Sequence, residues 1–173
     1  GGVEQLCSRI ALLRKFGARG IEPSEFPDPS NDWLRAALVE FAEGKSKLAE
    51  LEGADFLSYL KYRMEPRILS ALEKEAPETL TLAKGRRVRI HYQSDKAPWT
   101  ASRLQDFFGM KDTPCVASGK QKLTLHLLAP NQRPVQVTSD LSGFWARGYA
   151  EVRKELFRRY PRHSWPENPD SGE

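Results

Sequence analysis

Val3, Leu6, Ile10 and Leu13 recur at helical spacing with Cys7 beside them, and the run stops at Phe16-Gly17. The pattern predicts an amphipathic helix closed by a glycine just past its end. Pro23, Pro27 and Pro29 exclude regular structure between 20 and 30, which is predicted to be a connector. Ser30 is then placed to cap a second helix with Trp33, Leu34, Ala37, Leu38 and Phe41 on its apolar face, ending near Gly44. A third starts at Asp55, with the stripe Leu57, Leu60, Met64, Ile68 and Leu72. Pro66 interrupts that stripe, either as a kink or as the first residue of a fourth short helix. The first half is predicted to be all helical.

Near Pro77 the hydrophobic period falls from 3.6 to 2. Leu80 and Leu82 alternate with threonines, Lys84-Gly85 supply a turn, and Val88, Ile90 and Tyr92 alternate with Arg87, Arg89, His91 and Gln93. This predicts a hairpin with one wet, basic face. Thr100 is expected to cap a short helix carrying Leu104, Phe107 and Phe108, closed by Gly109. Strands are expected over 122–128 and 134–138, joined through Pro130-Asn131. A long helix from about Asp140 to Arg159 carries Leu141, Phe144, Trp145, Tyr149, Val152 and Leu156, before Pro161, Pro166 and Pro169 force an extended tail. The fold class is therefore α+β: a helical first half, then a small, mostly antiparallel sheet, a long C-terminal helix and a proline-rich tail. The sheet topology stays open, with an OB-like small barrel as one option.

Composition narrows the function. A chain of 173 residues with 39% hydrophobic and 29% charged residues has enough apolar material for a core, which excludes disorder throughout. The net charge of +4 is small, but residues 1–83 carry 11 basic and 14 acidic side chains while 84–173 carry 16 and 9. A polyanionic partner is thus expected to meet the second half. No apolar run approaches the length of a bilayer span, and no segment resembles a signal peptide, so a cytoplasmic protein is expected. The opening Gly1-Gly2-Val3 fits a piece of a longer protein.

Little in the chain offers chemistry. Gly44-Lys45-Ser46 imitates the end of a phosphate-binding loop, but Val39 stands where its first glycine belongs and the preceding element is an amphipathic helix. His91, His126 and His163 have no Cys, His or carboxylate at ligand spacing, so no metal is expected. Cys7 and Cys115 are expected to be buried, reduced thiols. No serine or cysteine nucleophile with a histidine base, and no carboxylate pair, stands out. What remains is the face made by Arg86, Arg87, Arg89 and His91, with Lys84 at the turn and Arg103 close in sequence. Alternating arginines on a strand project one way and suit a phosphate backbone, and Tyr92 or Trp99 are placed to stack on bases. An ordinary solvated sheet face has the same pattern. Arg158, Arg159, Arg162 and His163 form a second cluster, assigned to holding the tail on the helix with Tyr160.

The second half also resembles a known family. Leu104-Gln105-Asp106-Phe107-Phe108-Gly109, the run from Leu127 through Ala129-Pro130-Asn131-Gln132-Arg133-Pro134 to Thr138, and Asp140-Leu141 with Phe144-Trp145 are similar to the C-terminal region of bacterial HrpB-type, DEAH-box, ATP-dependent RNA helicases. Glu151 to Leu156 followed by Arg159-Tyr160-Pro161-Arg162-His163 and Trp165-Pro166-Glu167 resembles that family's last segment. The resemblance covers about residues 76–169, with 1–75 fitting the preceding helical region more loosely. Arg158 stands where the family pattern has a glycine, and Ser164 where a proline is usual.

The resemblance implies a helical helicase-associated region over 1–75 and an α+β C-terminal domain over 76–173. It implies ATP and magnesium for a full-length helicase acting on RNA, and no cofactor for this piece, which lacks both the phosphate loop and the acidic motif of the motor domains. The piece itself is expected to be monomeric and non-catalytic, contacting single-stranded nucleic acid and supporting the helicase core of its own chain. Arg86, Arg87, Arg89, His91, Arg103 and Arg133 are the candidate contact residues. The other reading is a protein-docking or scaffolding module without nucleic-acid contact.

Overall fold

The computed structural model describes residues 1–43 and 55–171. Gly44-Lys45-Ser46 and the end of the second helix lie outside the described residues. The chain divides into two compact units, Gly1–Pro77 with Tyr92–Asp95, and Glu78–His91 with Lys96–Glu173.

In the first unit α1 (Gly2–Phe16) buries Leu6, Ile10 and Leu13, the predicted stripe, and also Arg9. Arg9 Nε donates to the Ala76 carbonyl at 2.7 Å, and its Nη2 lies 3.5 Å from Glu73. Gly17 ends α1 with φ 71, and a Cβ there would stand 3.0 Å from the Ile21 carbonyl, so the position requires glycine. The proline-rich connector is ordered: Pro23–Glu25 forms a 3-10 turn and Phe26 is buried. The Ser30 hydroxyl accepts from Trp33 N at 3.3 Å ahead of α2 (Asn31–Glu43). There Ala37 and Phe41 are buried but Leu38 is exposed, so the apolar face is narrower than its spacing suggested.

Asp55 caps α3 (Phe56–Arg63) by accepting from Ser58 N, and Pro66 opens a separate helix, α4 (Pro66–Glu75). Proline at the first helical position gives up an amide that would have no intrahelical partner. Leu60, Met64, Ile68 and Leu72 are buried as predicted.

The second unit begins with the hairpin. β1 (Thr79–Thr81) pairs antiparallel with β2 (Arg87–Arg89), Leu80 opposite Val88, around a turn in which Gly85 has φ 92. Ile90 follows, then β3 (His91–Gln93), whose first residue belongs to this unit. The short helix expected from Thr100 is corrected: Lys96–Arg103 is an eight-residue strand, β4, and Thr100 is buried within it, donating to the Arg89 carbonyl at 2.7 Å. The short helix itself is a 3-10 turn over Leu104–Phe107, which buries the expected Leu104 and Phe107 and starts after Arg103 rather than at Thr100.

β5 (Cys115–Val116) and β6 (Gln121–Lys122) form a small antiparallel pair. Their alternation buries Val116 and exposes Cys115, contrary to the expected buried thiol; Cys7 is half-buried. β7 (Thr124–Leu128) runs parallel to β4 and antiparallel to β8 (Pro134–Thr138). The parallel pair is possible because residues 104–123 supply a crossover. The described pairings are open ladders of two, four and two strands.

The predicted long helix is interrupted. Asp140 caps α5 (Leu141–Arg147) by accepting from Gly143 N, and α6 (Tyr149–Arg159) restarts after Gly148. A Cβ on Gly148 would lie 2.9 Å from the Phe144 ring, which explains the glycine at the break. Leu141, Phe144, Tyr149 and Leu156 are buried as predicted, while Trp145 is half-buried, donating from Nε1 to the Met110 carbonyl at 2.7 Å. The tail is pinned rather than free. Arg153 Nε donates to the Trp165 carbonyl at 2.8 Å, Trp165 is buried, and Gly109 N donates to Pro169. No described helix is long and apolar enough to cross a membrane.

Candidate nucleic-acid interface

Each candidate residue takes its place from the alternation of its strand. Arg87 and Arg89 are exposed on β2 while Val88 between them is buried. Arg87 Nε donates to the Thr79 hydroxyl at 3.1 Å, which orients the guanidinium along the hairpin surface. Arg86 is exposed in the turn, where its carbonyl accepts from Leu82 N. His91 continues the same alternation and is half-buried.

The β4 register decides what meets His91. Pro98, Thr100 and Ser102 point into the core, so Ala97, Trp99, Ala101 and Arg103 share the opposite face. On β7 the buried Leu125 and Leu127 put His126 on that same face. His91 stacks on Trp99 with ring centroids 4.1 Å apart and planes 17° from parallel, and Trp99 meets His126 at 4.6 Å. Three rings from three neighbouring strands thus form one row. Burial is the main cause that lowers the His91 pKa, assisted by the charge of Arg89 and then by His126.

Arg103 lies on the row's face at the far end of β4, its Nε 3.9 Å from the Asp106 carboxylate. Arg103 pairs with Leu128 and Leu128 with Pro134, so exposed Arg133 next to Pro134 is at the same end of the sheet. Arg133 stands in a turn in which its own N–H donates to Asn131 Oδ1 at 3.0 Å. It also lines a cleft of about 300 Å³ with Arg159, Val152 and Leu156. The fold therefore brings Arg89 and His91 together, places Arg103 on their face, and leaves Arg86 and Arg87 on the hairpin and Arg133 at the sheet end.

Of the two aromatic candidates only Trp99 belongs to this face. Tyr92 is buried and its hydroxyl donates to the Pro77 carbonyl at 2.6 Å, which removes it as a stacking residue. His126 went unassigned in the sequence, although the alternation Thr124-Leu125-His126-Leu127 already set it opposite the core. In the second cluster Arg158 pairs with Glu155 at 2.6 Å and Arg159 lies over the Tyr160 ring, while the tail is held by Arg153, by Trp165 Nε1 donating to the Tyr160 carbonyl at 2.9 Å and by the His163 ring 3.1 Å from Gln105 Nε2. Among the described residues no group of three His, Cys, Asp or Glu side chains is arranged to hold a metal ion.

A helical unit is followed by an α+β unit in which a basic two-stranded hairpin precedes a four-stranded mixed sheet. The family model for the ATP-dependent helicase C-terminal region matches residues 33–169, and the chain belongs to this HrpB C-terminal family. It is 36% identical over 170 residues to the ATP-dependent RNA helicase HrpB of Escherichia coli K12, covering 96% of this chain and 20% of the relative. The crystal structure of the E. coli DExH-box NTPase HrpB superposes with a TM-score of 0.89 at 34% identity, over 99% of this chain and 21% of that one. A crystal structure of the E. coli DEAH/RHA helicase HrpB gives 0.74, again at 34% identity, over 95% and 21%. The chain spans about a fifth of the length of these relatives.

Proposed function

We propose that this chain is the non-catalytic accessory region of an ATP-dependent RNA helicase, and that it contacts single-stranded nucleic acid while supporting the helicase core of its own longer protein. ATP and magnesium serve that core. The observation that carries the reading is the pair Arg87 and Arg89, both exposed on one side of β2 with Val88 buried beneath them. Charges two residues apart on a strand stand about 7 Å apart, a spacing that can follow successive phosphates without disturbing the core. The surplus of basic residues in 84–173 adds an attractive field around them.

Titrating the chain with a labelled single strand at two salt concentrations tests the proposal. Binding that weakens as salt rises supports it, and absence of binding at low salt overturns it. Protein docking is the second reading, favoured by Leu38 and Val39, which lie side by side on α2 with 49% and 53% of their surface exposed.

A further inference from the structure

The cleft that Arg133 shares with α6 joins two cations to an apolar floor. Val152, Glu155, Leu156 and Arg159 recur at helical spacing on one side of α6, and with Arg133 and Val135 they line a space of about 300 Å³. The floor is aliphatic: Leu156 is buried, Val135 and Val152 half-buried. Arg133 and Arg159 are exposed, and among the described residues neither pairs with a carboxylate. Glu155, the acid of the lining, is already taken by Arg158 at 2.6 Å. Arg133 is held before any ligand arrives, its carbonyl accepting from Ala129 N at 2.8 Å and its N–H donating to Asn131 Oδ1 at 3.0 Å. Asn131, with Oδ1 engaged, keeps its side-chain amide as a further donor on the same lining.

We propose that this cleft is a docking site for an extended peptide segment of a protein partner, one in which aliphatic side chains are flanked by carboxylates. An aliphatic side chain takes the floor, and the carboxylates take the guanidinium groups of Arg133 and Arg159. Charge complementarity selects this occupant, because the lining offers two cations and no unpaired acid. A nucleic-acid strand matches the cations but not the floor: Val135, Val152 and Leu156 give a base neither a ring to stack on nor a polar group for its edges. The cavity is at the small end of ligand-binding volumes, which suits a short motif anchored by a side chain rather than a broad interface. The inference goes beyond the single-strand reading and is independent of it, since that reading rests on Arg87 and Arg89 of the hairpin.

The test measures by fluorescence anisotropy the binding of a labelled peptide, Glu-Asp-Leu-Val-Asp-Glu, to the parent chain and its variants. Two control peptides carry amides in place of the acids, or serines in place of the leucine and valine. The acidic aliphatic peptide is expected to bind the parent roughly tenfold more tightly than either control. Arg133→Gln with Arg159→Gln is expected to weaken the acidic peptide by roughly tenfold or more and to leave the amide peptide unchanged. Lys154→Gln removes a cation of the same helix outside the cleft and is expected to bind like the parent. Arg133→Glu with Arg159→Glu is expected to prefer a peptide with lysines in place of the acids, a reversal that a merely structural role would not produce. Circular dichroism reports that each variant is folded, and where one is not, the three peptides on the parent decide. Failure of the parent to bind the acidic peptide, equal binding of the serine control, or an unchanged affinity in the folded glutamine variant overturns the proposal. An oligouridylate that displaces the peptide, and loses its own affinity in the glutamine variant, assigns the cleft to RNA and overturns it as well.

Discussion

The Tyr149 hydroxyl, at the first turn of α6, donates to the Pro166 carbonyl of the tail at 2.7 Å. Burial pushes this phenol up to about 12, against a smaller opposing pull from the Arg153 guanidinium. A group whose folded pKa is raised contributes stability that is complete below its unfolded value, here 10.0, and is lost as pH rises toward the folded one. Denaturant melts between pH 8 and pH 12 are therefore expected to show parent stability falling above pH 10, and Tyr149→Phe falling less steeply. At pH 8 the variant should be less stable by about 1 kcal/mol, from the lost hydrogen bond. Equal slopes for the two proteins would show that the phenol is not the titrating group.

The two thiols are distinguishable. Cys115 is exposed on β5, whereas Cys7 is half-buried on α1 with its pKa raised by burial and then by the Glu4 carboxylate. Only the thiolate reacts, so at pH 7.5 a thiol-specific reagent is expected to modify Cys115 first and Cys7 more slowly. Mass spectrometry of a time course reads the order directly, and modification of Cys7 first would contradict the burial pattern.

The helices were legible because each buries a repeating stripe: Leu6, Ile10 and Leu13 in α1, Ile68 and Leu72 in α4. The hairpin was legible for the same reason at period 2. β4 was hidden because its core positions are Pro98, Thr100 and Ser102, which carry no hydrophobic signal. Proline also argues against an interior strand. Pro98 is tolerated here because the ladder with β7 begins one residue later, at Trp99. Losing β4 meant losing the parallel register that brings His126 to Trp99, a relation between distant segments that no local pattern encodes. The break at Gly148 is hidden because Trp145 and Tyr149 keep helical spacing across it.

The chain is expected neither to hydrolyse ATP nor to bind it usefully. Val39 in place of the first glycine of a phosphate loop removes the backbone wrap that holds the phosphates, and the chain has no acidic motif for magnesium. A phosphate-release assay should stay at background. Release that disappears in Lys45→Ala would overturn this and make Gly44-Lys45-Ser46 a working site.

Removing the hairpin charges separates the electrostatic contact from the fold. Arg87 and Arg89 are exposed, and the only side-chain bond described for either is that of Arg87 to the Thr79 hydroxyl, so Arg87→Ala with Arg89→Ala should leave the melting profile close to the parent's. Each phosphate neutralised on a single strand adds about 0.7 to the slope of log affinity against log salt, so the double variant should lose about 1.4 from that slope. Discrimination among base sequences should hardly change, because phosphate contacts position a strand without reading it. A folded double variant that keeps both its affinity and its salt slope would make the hairpin an ordinary solvated surface. The docking reading, with Leu38 and Val39 at its centre, would then take precedence.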